Sequence, residues 1–197
     1  DAGRLPQAGG YGLSLTVPEG VLLVGGGDAA QHFTDVLLAR WDGRGVEFTR
    51  LPSLPVPLAM HAGGLLGRTI FVAGGLDAPS ATKAQGVFLA FNLDAPARGW
   101  ERLEPWPGPE RFLAAGGVQD GSFYLFGGAR LVQGEEGKPT RELLRDAYRY
   151  TPGQGWRRIA DLPVCLAATP GPAQALGAGH LLLLGGDDGS RLHHLPS

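Results

Sequence analysis

The sequence has one cysteine, Cys165, in 197 residues, and this scarcity excludes several kinds of site. A single thiol forms neither an internal disulfide nor a zinc cluster built from cysteines. Its apolar neighbours in LPVCLAA favour a buried, inert thiol over a nucleophile. The adjacent His193 and His194 would point to opposite faces of a strand, so they make a poor metal pair. We therefore expect no metal site and no cofactor.

Charge and long apolar runs are also scarce. Charged residues make up 18% of the chain, the formal net charge is −2, and the 17 lysines and arginines are scattered without a basic run. A nucleic-acid groove needs a clustered basic surface, so we expect no nucleic-acid partner. No apolar run approaches the roughly 18 residues that span a membrane, so we expect no membrane partner either.

Glycine, in contrast, is abundant at 33 residues, and part of it recurs in a pattern. Four apolar runs end in two glycines: LLVGG, IFVAGG, FYLFGG and LLLLGG. Their second glycines are Gly26, Gly75, Gly128 and Gly186, which lie 49, 53 and 58 residues apart. A small-residue-rich strand precedes each run, and a mixed strand and an aromatic-bearing strand follow the first three. A period near 50 residues with four strands a unit predicts an all-β fold, a kelch-type β-propeller.

The spacing predicts blades over residues 10–58, 59–107 and 108–165 and an incomplete blade over 166–197, within one partial propeller domain 1–197. An open arc of about three and a half four-stranded blades would expose two apolar flanks, so we expect the chain to be part of a longer propeller. Each second strand should be buried on both faces, which explains why it is apolar throughout.

The glycine pairs have two interpretations. In the structural one, the backbone approaches another strand too closely for a Cβ atom, or φ turns positive. In the other they cradle a phosphate, but the chain has no GxGxxG followed by a helix. The longer loops leave the same ends of the second strands as the glycine pairs. We therefore expect the functional face to be this Gly-Gly face.

Several stretches resemble the bacterial N-acetylneuraminate epimerases, the sialic acid mutarotases, which are six-bladed kelch propellers. These stretches are GGYGLSLTVPEGVLLVGGGD, LPSLPVPLAMHAG, WPGPERFLAAGGVQDGSFYLFGG and LLRDAYRYTPGQGW. The first resembles the family's closing blade but comes first here, which is the order of a cyclically permuted subgroup. The resemblance implies interconversion of the α and β anomers of a sialic acid by general acid–base catalysis. It also implies a periplasmic or secreted location and, as partners, a sugar acid and the remaining blades or a fused esterase domain.

The resemblance does not supply the catalytic residues. The family places its catalytic Glu and Arg in a pattern Asn-Gly-Glu…Leu-Arg-Thr-Asp, which has no match in this chain. Glu135 and Arg141 in GEEGKPTRE look similar, but they lie in a different blade and far beyond its glycine pair, so we assign them no role. The catalytic residues are unknown, and we expect this chain by itself to be inactive.

Four residues are candidate substrate contacts: Arg111, Asp28, Arg130 and His61. Arg111 takes the position of the family's Pro-Arg, where an arginine fork would clamp the substrate carboxylate. The alternative is a structural arginine that binds carbonyls of a neighbouring blade. Asp28 and Arg130 follow glycine pairs on the functional face, although an Asx turn also explains Asp28. His61 lies in a first strand, near the propeller axis.

Two other functions stay open. A kelch module could bind a protein partner through its long-loop face without chemistry, since propellers host many functions. A copper oxidase of the galactose-oxidase kind would need a Tyr–Cys cross-link and paired histidine ligands. Cys165 in an apolar strand fits that requirement badly.

Overall fold

The computed structural model describes residues 4–134 and 137–190, which form short strands paired antiparallel. A short 3-10 turn lies at Pro96–Arg98. None of the helices in this part of the chain is long and apolar enough to cross a membrane. The strands are β1 (Leu13–Val17), β2 (Gly20–Val24), β3 (Val36–Trp41), β4 (Val46–Leu51), β5 (Ala62–Leu66), β6 (Thr69–Ala73), β7 (Phe88–Asn92), β8 (Glu101–Leu103), β9 (Ala115–Gln119), β10 (Ser122–Phe126), β11 (Ala129–Gln133), β12 (Pro139–Leu143), β13 (Ala147–Thr151), β14 (Gly155–Ile159), β15 (Gln174–Leu176) and β16 (His180–Leu182).

The strands form three four-stranded sheets and two hairpins. The first sheet has the order β1-β2-β3-β4, the second β5-β6-β7-β8 and the third β9-β10-β13-β14. The fourth sheet contains β15 and β16, and β11 and β12 form a separate hairpin inserted between the second and third strands of the third sheet. The all-β prediction is confirmed, and one of these four sheets lies within each of the four ranges given above for the blades.

The sheets pack face to face, with the second sheet between the first and the third. One buried cluster joins Leu15 and Leu22 of the first sheet to Val72 of the second. Another joins Phe71 of the second sheet to Phe123 of the third, with ring centroids 5.8 Å apart. Phe71 and Val72 are neighbours in β6, so their side chains point to opposite faces and fill different clusters. This strand is continuously apolar because both of its faces are covered.

The prediction that every second strand is buried on both faces is wrong for the outer sheets. In β2, Val21 is 38% exposed, because no further sheet covers that side of the first sheet among the described residues. In the LLLL run, Leu182 and Leu184 are 42% and 55% exposed. Burial on both faces depends on having a neighbouring sheet on each side, and within residues 4–134 and 137–190 only the second sheet has two four-stranded neighbours.

The glycine pairs fasten each sheet to the link that leads into the next sheet. Gly74 and Gly75 have φ values of +69° and +103°, a region that favours glycine. A Cβ atom on Gly74 would collide with the carbonyl oxygen of Arg111, and one on Gly75 would lie 2.8 Å from that of Ala59. The amide of Gly75 donates to the same Arg111 carbonyl at 2.8 Å. The structural interpretation of the glycine pairs is confirmed.

The burial of the Cys165 thiol differs from the prediction. Cys165 is half-buried, not buried, and its Sγ lies 3.6 Å from the carbonyl oxygen of Leu143. It lies in the link between the third and fourth sheets, where the fourth sheet provides only two strands to cover it. The thiol is therefore less shielded than its apolar neighbours in the sequence suggest.

Candidate functional site

A cleft of about 250 Å³ opens where the links enter the first strands of the four sheets. Tyr11, Met60 and Leu113 line it just before β1, β5 and β9, and Ala168 lines it from the link that leads to β15. We call it the axial cleft, because all four sheets contribute to its wall. None of the thirteen residues that line it is an aspartate, glutamate, lysine or arginine.

These four residues share an uncommon backbone conformation. Their φ values are +60°, +57°, +55° and +56°, although none of them is glycine. The amide of Met60 donates to the carbonyl of Tyr11 at 2.8 Å, Leu113 to Met60 at 2.8 Å, and Ala168 to Leu113 at 2.9 Å. A left-handed conformation costs a non-glycine residue about 1–3 kcal/mol, and such residues cluster at ligand sites. Here the hydrogen bonds from sheet to sheet hold the strained positions in place.

The residue after each left-handed position also lies on the cleft wall. These residues are Gly12, His61, Ala114 and Thr169. Each packs against the second glycine of its own sheet, so a side chain in place of that glycine would collide with it. The glycine pairs therefore shape the cleft as well as joining the sheets.

His61 contributes an imidazole to this wall and is only 8% exposed. Burial lowers the pKa of His61 to about 4, the Val24 carbonyl opposes this lowering, and the charge of His32 adds to it. The imidazole is therefore neutral at pH 7. Neither ring nitrogen has a hydrogen-bond partner of normal geometry in the described part of the chain.

Thr169 occupies the corresponding position in the fourth sheet. Its hydroxyl oxygen is also buried and has no partner within the described ranges. Buried polar atoms without partners are rare in folded proteins, and each one calls for a specific explanation. The imidazole of His61 and the hydroxyl of Thr169 therefore give the cleft wall unused hydrogen-bonding capacity among the described residues.

Arg111 is fully buried between the second and third sheets. Its guanidinium donates to both carboxylate oxygens of Asp146, at 3.0 and 2.7 Å, and to the Gly127 carbonyl at 2.8 Å. It also lies over the rings of Trp106 and Tyr148, 5.5 and 5.2 Å from their centroids. These contacts match the alternative interpretation of Arg111 as a structural arginine that binds a neighbouring blade. No part of the side chain is open to a ligand in this structure.

The pKa of Asp146 reflects how strongly this carboxylate interacts with Arg111. Burial acts to raise the pKa of its carboxyl group, but hydrogen bonds from Arg111 and from the Tyr148 hydroxyl outweigh burial. The pKa of Asp146 therefore lies below its ordinary value. The carboxylate stays ionised at neutral pH and neutralises the buried arginine.

Asp28 and Arg130 also have local partners. The Asp28 carboxylate accepts hydrogen bonds from the amides of Ala30 and Gln31, both at 2.8 Å, which is the geometry of an Asx turn. Arg130 lies on β11 and donates to both carboxylate oxygens of Glu142 on β12, at 2.8 Å. Of the four candidate contacts, only His61 lines the axial cleft.

Of the two residues set aside in the catalytic comparison, Glu135 and Arg141, the structure describes Arg141. Arg141 lies over the ring of Phe112, with its guanidinium carbon 5.5 Å from the ring centroid. Glu135 lies outside the described residues, as do His193 and His194. Within residues 4–134 and 137–190, no group of three or more histidine, cysteine, aspartate or glutamate side chains is arranged to hold a metal ion.

The cleft contains residues that the sequence does not single out by type. Thr169, Met60, Leu113 and Ala168 are ordinary residues in links between strands. Aligning the repeats on their glycine pairs places Met60 and Leu113 at corresponding positions but not Ala168 and Thr169, because the fourth link is longer. The left-handed conformation of Met60, Leu113 and Ala168 and the missing partner of Thr169 among the described residues are visible only in three dimensions.

No family model matches the chain. Curated proteins do match parts of it. The chain is 32% identical to the N-acetylneuraminate epimerase of Haemophilus influenzae strain PittEE over 109 residues, which are 55% of this chain and 26% of that protein. It is 27% identical to the N-acetylneuraminate epimerase of Pasteurella multocida strain Pm70 over 136 residues, which are 68% and 33% of the two chains. The chain thus spans about a quarter to a third of the relatives it matches.

The solved structure of YjhT matches 95% of this chain and 64% of its own chain, with a TM-score of 0.77. The sequence identity is 14%, so this match concerns the fold alone. The kelch-type β-propeller fold is confirmed, and so is the resemblance to the N-acetylneuraminate epimerases. The cyclic permutation is not tested by these matches and stays a prediction.

Proposed function

We propose that this chain, as a relative of the N-acetylneuraminate epimerases, forms part of a mutarotase that interconverts the anomers of a sialic acid. The observation that carries the proposal is the 32% identity over 109 residues to a curated protein of that name. The axial cleft supports it, because a sugar needs hydrogen-bonding groups on a concave wall and the cleft has two without partners.

The reaction sets clear chemical requirements. A base takes the proton from the anomeric hydroxyl while an acid delivers a proton to the ring oxygen, and the ring opens and closes again. Positioned acid–base groups contribute about 10²–10⁴-fold to such a step. A base is most effective with a pKa near the working pH, so His61, with a pKa of about 4, is poorly suited to this role.

In this proposal the chain supplies a wall of the binding site, and the catalytic groups come from elsewhere. The wall is uncharged, so it suits the hydroxyl and amide groups of the sugar better than its carboxylate. His61 and Thr169 would each make a hydrogen bond to the ligand after a small side-chain movement, since their polar atoms are covered here. Their unmet hydrogen-bonding capacity favours that movement.

The experiment is a proton NMR measurement on the isolated chain with N-acetylneuraminate, with the Haemophilus influenzae epimerase as positive control. We expect millimolar ligand to shift the amide signals of Met60, Leu113 and Ala168 without accelerating anomer exchange. Thr169→Val should weaken binding several-fold, whereas Thr49→Val, at an exposed position of β4, should not. An absence of cleft shifts at any accessible ligand concentration would reject the sugar-binding role.

The alternative is a kelch module that binds a protein partner and performs no chemistry. Two observations favour it: the described cleft wall has no carboxylate, and the β11–β12 hairpin adds surface near the Gly-Gly face. The same titration separates the two functions, because a protein-binding module has no reason to recognise the sugar at the axial cleft.

A further inference from the structure

Two large apolar side chains lie next to each other on the wall of the axial cleft. Met60 and Leu113 belong to neighbouring links, and the amide of Leu113 donates to the Met60 carbonyl at 2.8 Å. Both residues are half-buried. Elsewhere on the wall Ala168 is small, and Tyr11 is 69% exposed. We call Met60 and Leu113 the apolar patch of the cleft.

The apolar patch is supported from behind by a cluster of its own. Leu76 and Phe112 are buried members of this cluster, and Met60 and Leu113 pack against it. It is separate from the two clusters that lie between the sheets. The same two side chains therefore contact the protein interior on one side and the cleft on the other.

The β11–β12 hairpin forms part of this support. Strand pairing places Ala129 opposite Leu143, and Leu131 lies on the same face of the hairpin, two positions along β11. All three contribute to the cluster behind the apolar patch. The amide of Phe112 donates to the Ala129 carbonyl at 2.9 Å, and its carbonyl accepts from the Ala129 amide at 2.8 Å. Because Phe112 directly precedes Leu113, the hairpin is fastened next to the patch.

The backbone of the apolar patch is strained. Its φ values are +57° at Met60 and +55° at Leu113, a region that glycine adopts without strain. A glycine at either position would relieve the strain but would also remove the side chain. Residues with side chains persist in this conformation where the surrounding structure holds them, and they cluster at ligand sites. The strain therefore indicates that the two side chains themselves have a role at the cleft.

We propose that the apolar patch binds the acyl methyl group of an N-acylated sugar acid, and that Leu131 of the hairpin is a positioning residue for it. The identity of the ligand rests on the function proposed above. Hydroxyl groups and a carboxylate would lose hydrogen bonds to water against an apolar surface, which disfavours them at this position. The methyl of the acetamido group is the apolar substituent of N-acetylneuraminate, so it gains from the contact.

An acyl subsite gives the cleft a preference among sugars. Burying one additional methyl group corresponds to a gain of about fourfold in affinity. The analogue of N-acetylneuraminate in which a hydroxyl group replaces the acetamido group lacks this methyl and presents a polar group instead. All its other groups are the same, so a comparison of the two sugars isolates the contribution of the apolar patch.

Met60 is a specific reporter for the test, because it is the only methionine of the chain. Labelling the methionine methyl group with ¹³C gives one signal, which is followed while the full chain is titrated with each sugar. We expect N-acetylneuraminate to shift this signal and to show a nuclear Overhauser effect between its acetyl methyl group and the Met60 methyl group. It should bind at least about fourfold more tightly than the hydroxyl analogue.

Two variants test the patch and its support separately. Leu131→Ala leaves every residue of the cleft wall in place and should shift the free Met60 signal and lower the preference for the acetylated sugar. Its affinity for the hydroxyl analogue should stay unchanged. Met60→Gln keeps the length of the side chain but makes it polar, so it should abolish the preference, measured at the Leu113 amide. Val132→Ala is the matched control, since Val132 is also half-buried but lies on the other face of β11, and should change neither affinity.

The outcomes separate this subsite from the proposed function. Equal affinities for the two sugars, or a preference that Met60→Gln leaves unchanged, would overturn the subsite while the sugar-binding role stands. A preference that Leu131→Ala leaves unchanged would overturn the role of the hairpin. Binding of neither sugar would reject both the subsite and the proposed function.

Discussion

At the scale of single residues, one junction between sheets replaces an apolar contact with an ion pair. Between the first and second sheets, Leu58 of the link and Val87 of the second sheet belong to one apolar cluster. At the next junction the residues in the same hydrogen-bonding positions are Arg111 and Asp146. A buried ion pair of this kind often contributes little net stability, because removing two charges from water offsets their attraction.

This comparison gives a prediction for the pair. Arg111→Leu should destabilise the chain by about 3–5 kcal/mol, because Asp146 stays in place without its partner. The triple variant R111L/D146V/Y148F, which copies the Leu58–Val87 junction and removes the hydroxyl that donates to Asp146, should recover most of this loss. Urea unfolding of the three proteins is the measurement. A triple variant as unstable as R111L would mean that the pair itself stabilises the junction.

His61 predicts a pH dependence of stability. Its pKa is 6.5 in the unfolded chain and about 4 in the folded one, so the unfolded chain binds more protons between these values. Stability should fall as pH drops from 6.5 to 4, by an amount on the order of 3 kcal/mol. His61→Leu should flatten this part of the profile, whereas His180→Gln, at an exposed position, should not. Identical profiles for the wild type and His61→Leu would contradict the assignment.

At the scale of elements, the aromatic residue of a fourth strand ties its sheet to an earlier link. The indole nitrogen of Trp100, just before β8, donates to the Pro52 carbonyl at 2.9 Å. That of Trp156 in β14 donates to the Glu104 carbonyl at 3.0 Å. Trp100 also stacks on Phe91, with centroids 5.1 Å apart. The tryptophan of these two units therefore joins its sheet to the earlier link by packing and by one indole hydrogen bond.

Trp100→Phe should separate these two contributions. Phenylalanine keeps most of the packing but loses the donor, so we expect a loss of about 1 kcal/mol in the free energy of unfolding. Trp41→Phe is the control, because Trp41 is 61% exposed and should give a change close to zero. Chemical denaturation followed by circular dichroism measures both. Equal effects of the two substitutions would exclude a role for the Trp100 bond.

At the scale of the whole molecule, one series of backbone hydrogen bonds runs across all four sheets. It passes from Tyr11 to Met60, Leu113 and Ala168, and its three bonds are 2.8, 2.8 and 2.9 Å long. Each bond joins one link to the next, so the series sets the position of each sheet relative to its neighbour. The axial cleft depends on this series, since the same residues line it.

Amide hydrogen exchange should reveal this series. The amides of Met60, Leu113 and Ala168 are bonded, whereas the Tyr11 amide has no backbone partner in the described chain. We expect exchange at the first three to be at least about 100-fold slower than at Tyr11 once intrinsic rates are taken into account. Two-dimensional NMR after dilution into deuterated buffer measures this. Fast exchange at Leu113 would mean that the sheets separate at the axis under native conditions.

The sequence by itself determined the repeat, the four-stranded units and the role of the glycine pairs. These features are local: glycine is required where φ is positive, and an apolar strand is required where neighbours cover both faces. The resemblance to the epimerases could also be read from short motifs, because those motifs occupy contiguous stretches.

Only the tertiary structure decided which residues form the cleft and which faces stay open. Arg111 looks like a ligand clamp in sequence, but its partner Asp146 lies 35 positions away and holds it inside the protein. Thr169 and His61 line the same cleft because two hydrogen bonds, from Leu113 to Met60 and from Ala168 to Leu113, align their links. Arg149 and Arg157, eight positions apart in the sequence, likewise become direct neighbours only when β13 pairs with β14 in this register.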